Sequence, residues 1–230
     1  MNKKTPVLIL AAHPDDEVLG CGGTVARLVR EGTPVSVAIL GEGITSRYSA
    51  RSTADPALLD DLCRRSKKAA DILGVTDVRF FSLPDNRFDT VPLLDIVKII
   101  ENLINEIQPT VVFTQHGGDL NIDHTIVFKA TLTASRPVPG SPVKQVLAYE
   151  VPSSTDWAFQ TGQNIFSPNV FYDVSTTLDL KMDALKIYAG EMKDPPHPRS
   201  LDAVRENAFR WGHITGVRAA EAFESIREIR

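Results

Sequence analysis

The stretch that decides the fold is Val7-Leu8-Ile9-Leu10-Ala11-Ala12, running directly into His13-Pro14-Asp15-Asp16-Glu17. Residues 7–12 are uninterruptedly apolar, the pattern of a strand buried on both faces of a parallel sheet. Pro14 restricts the turn that follows. Residues 17–32 then read as a helix, with Val18, Val25, Leu28 and Val29 on one side and Gly32 as its stop. A buried strand feeding a helix is the first half of a βαβ unit, and the pattern repeats outward. Strands are predicted over 35–40, 78–81 and 110–115, and helices over 57–73, closed by Gly74, over 93–107 and from about Asp123 onward. This alternation predicts an α/β fold: a doubly wound, mostly parallel sheet.

The texture changes at Pro137, where Pro139, Gly140 and Pro142 mark a loop. Beyond it, 145–151 and 169–174 read as strands. Residues 178–192 and 200–213 read as helices, and 219–230 as a short charged C-terminal helix. No internal repeat interrupts the chain, and Pro195-Pro196-His197-Pro198 is too short for a domain linker. The expectation is a single domain over 1–230, with a core of about 1–136 and a C-terminal strand-helix elaboration of about 137–230.

Composition narrows the function classes. The chain has 230 residues, 43% of them hydrophobic and 23% charged, ordinary values for a soluble globular protein. Lys and Arg number 25 against 29 Asp and Glu, so the net charge is −4. That balance argues against nucleic acid or an anionic membrane surface as partner. The apolar run near the start is far below the roughly 18 residues a membrane span needs, and Met1-Asn2-Lys3-Lys4 does not open a signal peptide. Cys21 and Cys63 are expected as reduced thiols in a cytoplasmic protein.

In open α/β sheets, ligands sit outside the carboxyl ends of the strands. Two such positions carry the reactive residues: the loop after the first strand, and Gln115-His116-Gly117-Gly118-Asp119-Leu120-Asn121-Ile122-Asp123-His124 after the fourth. One imidazole and three carboxylates within five residues repel strongly unless a cation or protons compensate. His13 and Asp16, three apart on a strand-to-helix turn, could give one nitrogen and one oxygen to a divalent ion. A catalytic zinc site typically has three protein ligands and an open position; His124 is the best third. Asp15, between the ligands, is free to accept a proton from water. The competing reading makes the acidic run a helix N-cap and dipole partner.

Residues Ala11 to Gly23, read as Ala-Ala-His-Pro-Asp-Asp-Glu-Val-Leu-Gly-Cys-Gly-Gly, resemble the signature of the LmbE/PIG-L family of zinc-dependent N-acetyl sugar deacetylases. The segment ending in Asp123-His124 resembles that family's second metal motif. The resemblance implies a Rossmann-like sheet, zinc (or another divalent metal) held by His13, Asp16 and His124, and Asp15 as general base toward a zinc-activated water. The family's second motif often opens with a histidine that helps to stabilise the oxyanion. Asn121 stands at that position here, so it can donate a hydrogen bond but not a proton, and His197 is the proposed substitute acid.

The substrate so implied is an N-acetyl amino sugar or its conjugate, including a nucleotide-linked one. Arg47 in the loop after the second strand, with Asp85 and Asn86 after the third, are candidate contacts to sugar hydroxyls or a phosphate. Arg51 and Glu150 are weaker candidates. Turn formation by Pro84-Asp85-Asn86 is the competing explanation. His116 is expected to support neighbouring loops, and His213 and Cys21 to be structural. Two other readings are a sugar- and metal-binding module without catalysis, supported by Asn121, and a Rossmann-type nucleotide-dependent enzyme, opposed by the absence of Gly-x-Gly-x-x-Gly after the first strand. The Pro-rich C-terminal part leaves room for a homo-oligomer.

Overall fold

The computed structural model describes residues 4–49 and 51–230, the side chain of Gln163 apart. The chain runs β1 (Val7–Ala11), α1 (Asp16–Arg30), β2 (Val35–Gly41), α2 (Pro56–Leu73), β3 (Asp77–Leu83), α3 (Leu93–Ile107), β4 (Val111–Gln115) and α4 (Ile122–Ala134). It continues through β5 (Gln145–Tyr149), β6 (Val170–Asp173), α5 (Leu178–Ile187), α6 (Leu201–Thr215) and β7 (Ala220–Glu228). All seven strands join one sheet in the order β3-β2-β1-β4-β5-β7-β6. The first five pair in parallel, and β7 runs antiparallel between β5 and β6. The α/β, doubly wound, mostly parallel architecture is therefore the one the alternation predicts.

Burial explains the continuous apolar runs. Along β1 and the residue after it, Val7, Ile9 and Ala11 pack into one core beneath α1, α2 and α5, while Leu8, Leu10 and Ala12 pack into a second beneath α3 and α4. Local signals set the helix ends. Asp55 caps α2 by accepting from the Ala57 amide at 2.9 Å, Pro56 occupies the first turn, and Gly74 closes it at φ 81°. Close approach dictates Gly20: a Cβ there would lie 2.0 Å from Tyr149 Cδ2. The Tyr149 hydroxyl in turn donates to the Leu10 carbonyl at 2.7 Å, tying α1, β1 and β5 together.

Two expectations are corrected. Residues 219–230 hold a strand, not a helix. Ala220-Glu221-Ala222-Phe223 favours helix locally, but β5 and β6 each present an edge and hydrogen bonding from both sides outweighs propensity. The helix expected over 178–192 stops at Ile187; Tyr188 turns out of it and its hydroxyl donates to Glu17 Oε1 at 2.7 Å. Cys21 and Cys63 are both free thiols. Among the described residues, no helix is long and apolar enough to cross a membrane.

A candidate metal centre between the first and fourth strands

The chain builds outward from β1 through β2 to β3, then returns to place β4 on the other side of β1. That reversal is a topological switch point, and the two acid- and histidine-bearing loops meet at its carboxyl end. In the first loop Asp15 takes φ 108°, a left-handed conformation rarely adopted by a non-glycine residue. Its amide donates to Glu17 Oε2 at 3.1 Å, and its own carboxylate makes no capping bond to α1. Asp16 Oδ2 accepts from the His13 amide at 2.9 Å and from Gln115 Nε2 at 3.2 Å. N-capping thus accounts for neither aspartate.

In the second loop Asn121 caps α4, its Oδ1 accepting from the Asp123 amide at 2.9 Å. This presents His124 from the first turn of α4. Asp119 Oδ2 lies 2.8 Å from His124 Nδ1, and its Oδ1 accepts from the Thr155 hydroxyl at 2.6 Å. The nitrogen facing Asp119 is thereby occupied and Nε2 is turned toward the first loop. Ligand atoms of His13, Asp16 and His124 all lie within 4.8 Å of one another.

Fit to a metal can be tested on buried atoms. His124 Nε2 and Asp16 Oδ1 are both buried and neither has a hydrogen-bond partner, although Nε2 lies 3.3 Å from Asp16 Oδ2. An unsatisfied buried polar atom costs about 1–3 kcal/mol, and a divalent ion would satisfy both. A second group, His13, Asp85 and Asp123, is as closely spaced. Its oxygens are already used. Asp123 accepts from the amides of Asn86 at 2.6 Å and Phe88 at 2.9 Å and lies 2.9 Å from His13 Nε2; Asp85 Oδ2 accepts from the Ser46 amide and hydroxyl. The chemistry therefore favours the first set, an imidazole pair with one carboxylate.

Electrostatics match. Burial pulls the His13 imidazole down, but Asp123 and Asp16 more than offset it and push it up to about 10. His124 is likewise pulled down by burial and driven up to about 9 by Asp16 and Asp119. Burial raises Asp16, yet the two imidazoles hold it well below the usual carboxylate range. Burial pushes Asp15 up to about 8 against the opposing pull of Arg199. Several carboxylates forcing protons onto two imidazoles mark a centre suited to a cation.

A pocket of about 200 Å³ opens on this centre, lined in part by His13, Asp15, Asp85, Asn86, Asn121 and Arg199. Arg47 also reaches it, ion-paired to Glu191. Asn121 Nδ2 donates to Asn86 Oδ1 at 3.1 Å. His197 stands outside the lining, its Nδ1 accepting from the Arg199 amide at 3.0 Å and its ring edge-on to Trp157. Arg51 is bound to Glu42 and the Ser82 carbonyl, and Glu150 accepts from Asn207 and Trp211 away from the pocket. His116 is held between Glu224 and the Asn164 carbonyl, and His213 is exposed on α6.

Sequence reasoning missed Arg199, Glu191 and Asp119 as parts of the site. Arg199 sits two residues past His197 in the same Pro-rich loop, and nothing in that local sequence pairs it with Asp15. Its Nε donates to the Pro152 carbonyl at 3.2 Å and to Ser153 Oγ at 3.1 Å, which aims Nη1 at Asp15.

Fold and site together define a doubly wound α/β protein with a candidate metal centre at its switch point. Residues 8–135 match the family described as PIG-L, GlcNAc-PI de-N-acetylase, and the chain belongs to that family. It is 32% identical over 191 residues to the uncharacterised deacetylase YaiS of Escherichia coli K12, covering 80% of this chain and 91% of that one. It is 22% identical over 232 residues to the diacetylchitobiose deacetylase of Thermococcus kodakarensis, covering 98% and 84%. In fold it is similar to GalB, the 4-carboxy-2-hydroxymuconate hydratase of Pseudomonas putida KT2440, with TM-score 0.77, 20% identity and 98% of each chain covered. That last likeness concerns the fold alone.

Proposed function

We propose that this chain is a zinc-dependent N-deacetylase that removes the acetyl group from an amino sugar or its conjugate. The observation that carries the reading is the convergence of two unpartnered buried atoms, His124 Nε2 and Asp16 Oδ1, with His13 beside a carboxylate that neither ligates nor caps. His13, Asp16 and His124 would hold the ion. Bound there, it would lower the pKa of a water to about 7 and polarise the amide carbonyl.

The protein's own groups do the rest. Asp15 takes the proton of the attacking water and returns it to the departing amine; burial raises its carboxyl above the usual carboxylate range, which suits it to both halves of that exchange. The developing oxyanion faces Asn121 Nδ2 at the pocket wall; one such donor is typically worth about 3–4 kcal/mol. Arg199 keeps Asp15 oriented and favours its ionised form. Asp85, Asn86 and Arg47 line the space left for sugar hydroxyls. Acetate and a free amine are the products. The family's description and the diacetylchitobiose deacetylase support an N-acetylglucosamine-type substrate. An inert metal- and sugar-binding module would have no use for an uncapped Asp15 held at φ 108°.

The reading is tested by acetate release from a panel of N-acetyl sugars and conjugates, using zinc-loaded and chelated protein side by side. Release that chelation stops and zinc restores is expected. No release from any member by protein with confirmed bound metal would overturn it.

A further inference from the structure

Beside the metal-centre pocket lies a larger cavity of about 420 Å³, walled by Ile44, Leu58, Leu62 and Tyr188. Arg47 and Glu191 line both spaces, so the two adjoin at that ion pair. Ligand cavities usually span about 300–1,000 Å³. At about 200 Å³ the metal-centre pocket alone falls short of that range, and the two together fall within it.

The charges around the larger cavity are mutually satisfied. Arg47 is paired with Glu191, and Arg65 Nε lies 2.6 Å from Asp61. Apart from Tyr48, the rest of the wall is mostly apolar, including Leu58, a large side chain on α2 left 47% exposed. In that wall the Tyr188 hydroxyl donates to Glu17 Oε1 at 2.7 Å, tying the cavity to the residue after Asp16.

We propose that this cavity takes an apolar alkyl or aryl group carried by the same substrate whose amide is cleaved at the metal centre. The proposal rests on the deacetylase reading and narrows it: the preferred substrate is an amino sugar bearing a hydrophobic substituent. That substituent is either the aglycone or an N-acyl chain longer than acetyl, and the two sources are separable by experiment.

Two substrate series are compared with the zinc-loaded enzyme: alkyl β-glycosides of N-acetylglucosamine from methyl to hexyl, and N-acylglucosamines from acetyl to hexanoyl. In one series kcat/KM should rise about two- to fourfold per added methylene, then level off as the cavity fills. Leu58→Trp, which narrows the mouth, should flatten that slope. A rise among glycosides assigns the cavity to the aglycone; a rise among the N-acyl compounds assigns it to the acyl chain. Flat profiles in both, with N-acetylglucosamine itself hydrolysed, would overturn the proposal and leave the deacetylase reading intact. Should neither series be hydrolysed, calorimetric titration with hexyl and methyl β-D-glucoside decides the cavity separately from the deacetylase reading. Hexyl binding about tenfold tighter than methyl, lost in Leu58→Trp, upholds an apolar subsite; equal or absent binding of the two overturns it.

Discussion

Arg199 Nη1 lies 3.2 Å from Asp15 Oδ2, joining the Pro-rich loop before α6 to the loop after β1 across 184 residues of sequence. Burial raises the Asp15 carboxyl and the guanidinium opposes that rise. Removing the cation makes Asp15 hold its proton more tightly. Because hydrolysis needs the carboxylate, the acid limb of the pH profile of kcat/KM should move to higher pH in Arg199→Ala, and by less in Arg199→Lys, which keeps the charge. An unmoved limb in Arg199→Ala would dissociate Arg199 from the ionisation of Asp15.

Asp15→Asn separates metal binding from turnover. Asparagine tolerates the left-handed backbone at this position, so the loop should persist. Metal content by elemental analysis should equal that of the wild type. The loss in kcat/KM should be about a hundred- to ten-thousandfold, the usual contribution of a general acid–base. Near-normal turnover would remove Asp15 from that role.

Asp119 acts through His124. Its Oδ2 is 2.8 Å from His124 Nδ1, the carboxylate–histidine arrangement that fixes a metal-binding imidazole. Asp119→Ala should weaken zinc binding by about 10- to 100-fold in competition with a chromophoric chelator. Unchanged affinity would argue that the orientation of His124 is set elsewhere.

Much of this molecule was legible in the chain. β1, β2 and β4 are buried on both faces and so read as apolar runs, and the helices between them carry their own stops, such as Gly74. The loop histidines and aspartates were visible because like charges that crowded need a compensating ion. Contacts between distant segments were not. Arg199 has no local pattern that points it at Asp15. β7 was hidden because its sequence favours helix and only the waiting edges of β5 and β6 make it a strand. Residue type alone points to His197, yet the pocket wall belongs to its neighbour two residues on.

Glu221 in β7 shows what local reading leaves out. It accepts from the amides of Gly23 at 3.0 Å and Thr24 at 2.7 Å, and from Lys181 Nζ at 2.6 Å, all buried. Lys181 also donates to the Leu19 carbonyl at 2.8 Å. Lys181→Met strands a buried carboxylate and should lower stability by about 3–5 kcal/mol, measured by denaturant unfolding. A change below about 1 kcal/mol would mean that the backbone amides alone sustain Glu221.

The most direct test of a zinc-dependent deacetylase titrates zinc into chelated protein while bound metal and acetate release are measured on the same samples. Release should be absent at the start, rise in proportion to bound zinc and saturate at one ion per chain. Acetate release by metal-free protein, or zinc saturation with no release from any N-acetyl sugar or conjugate, would contradict that reading.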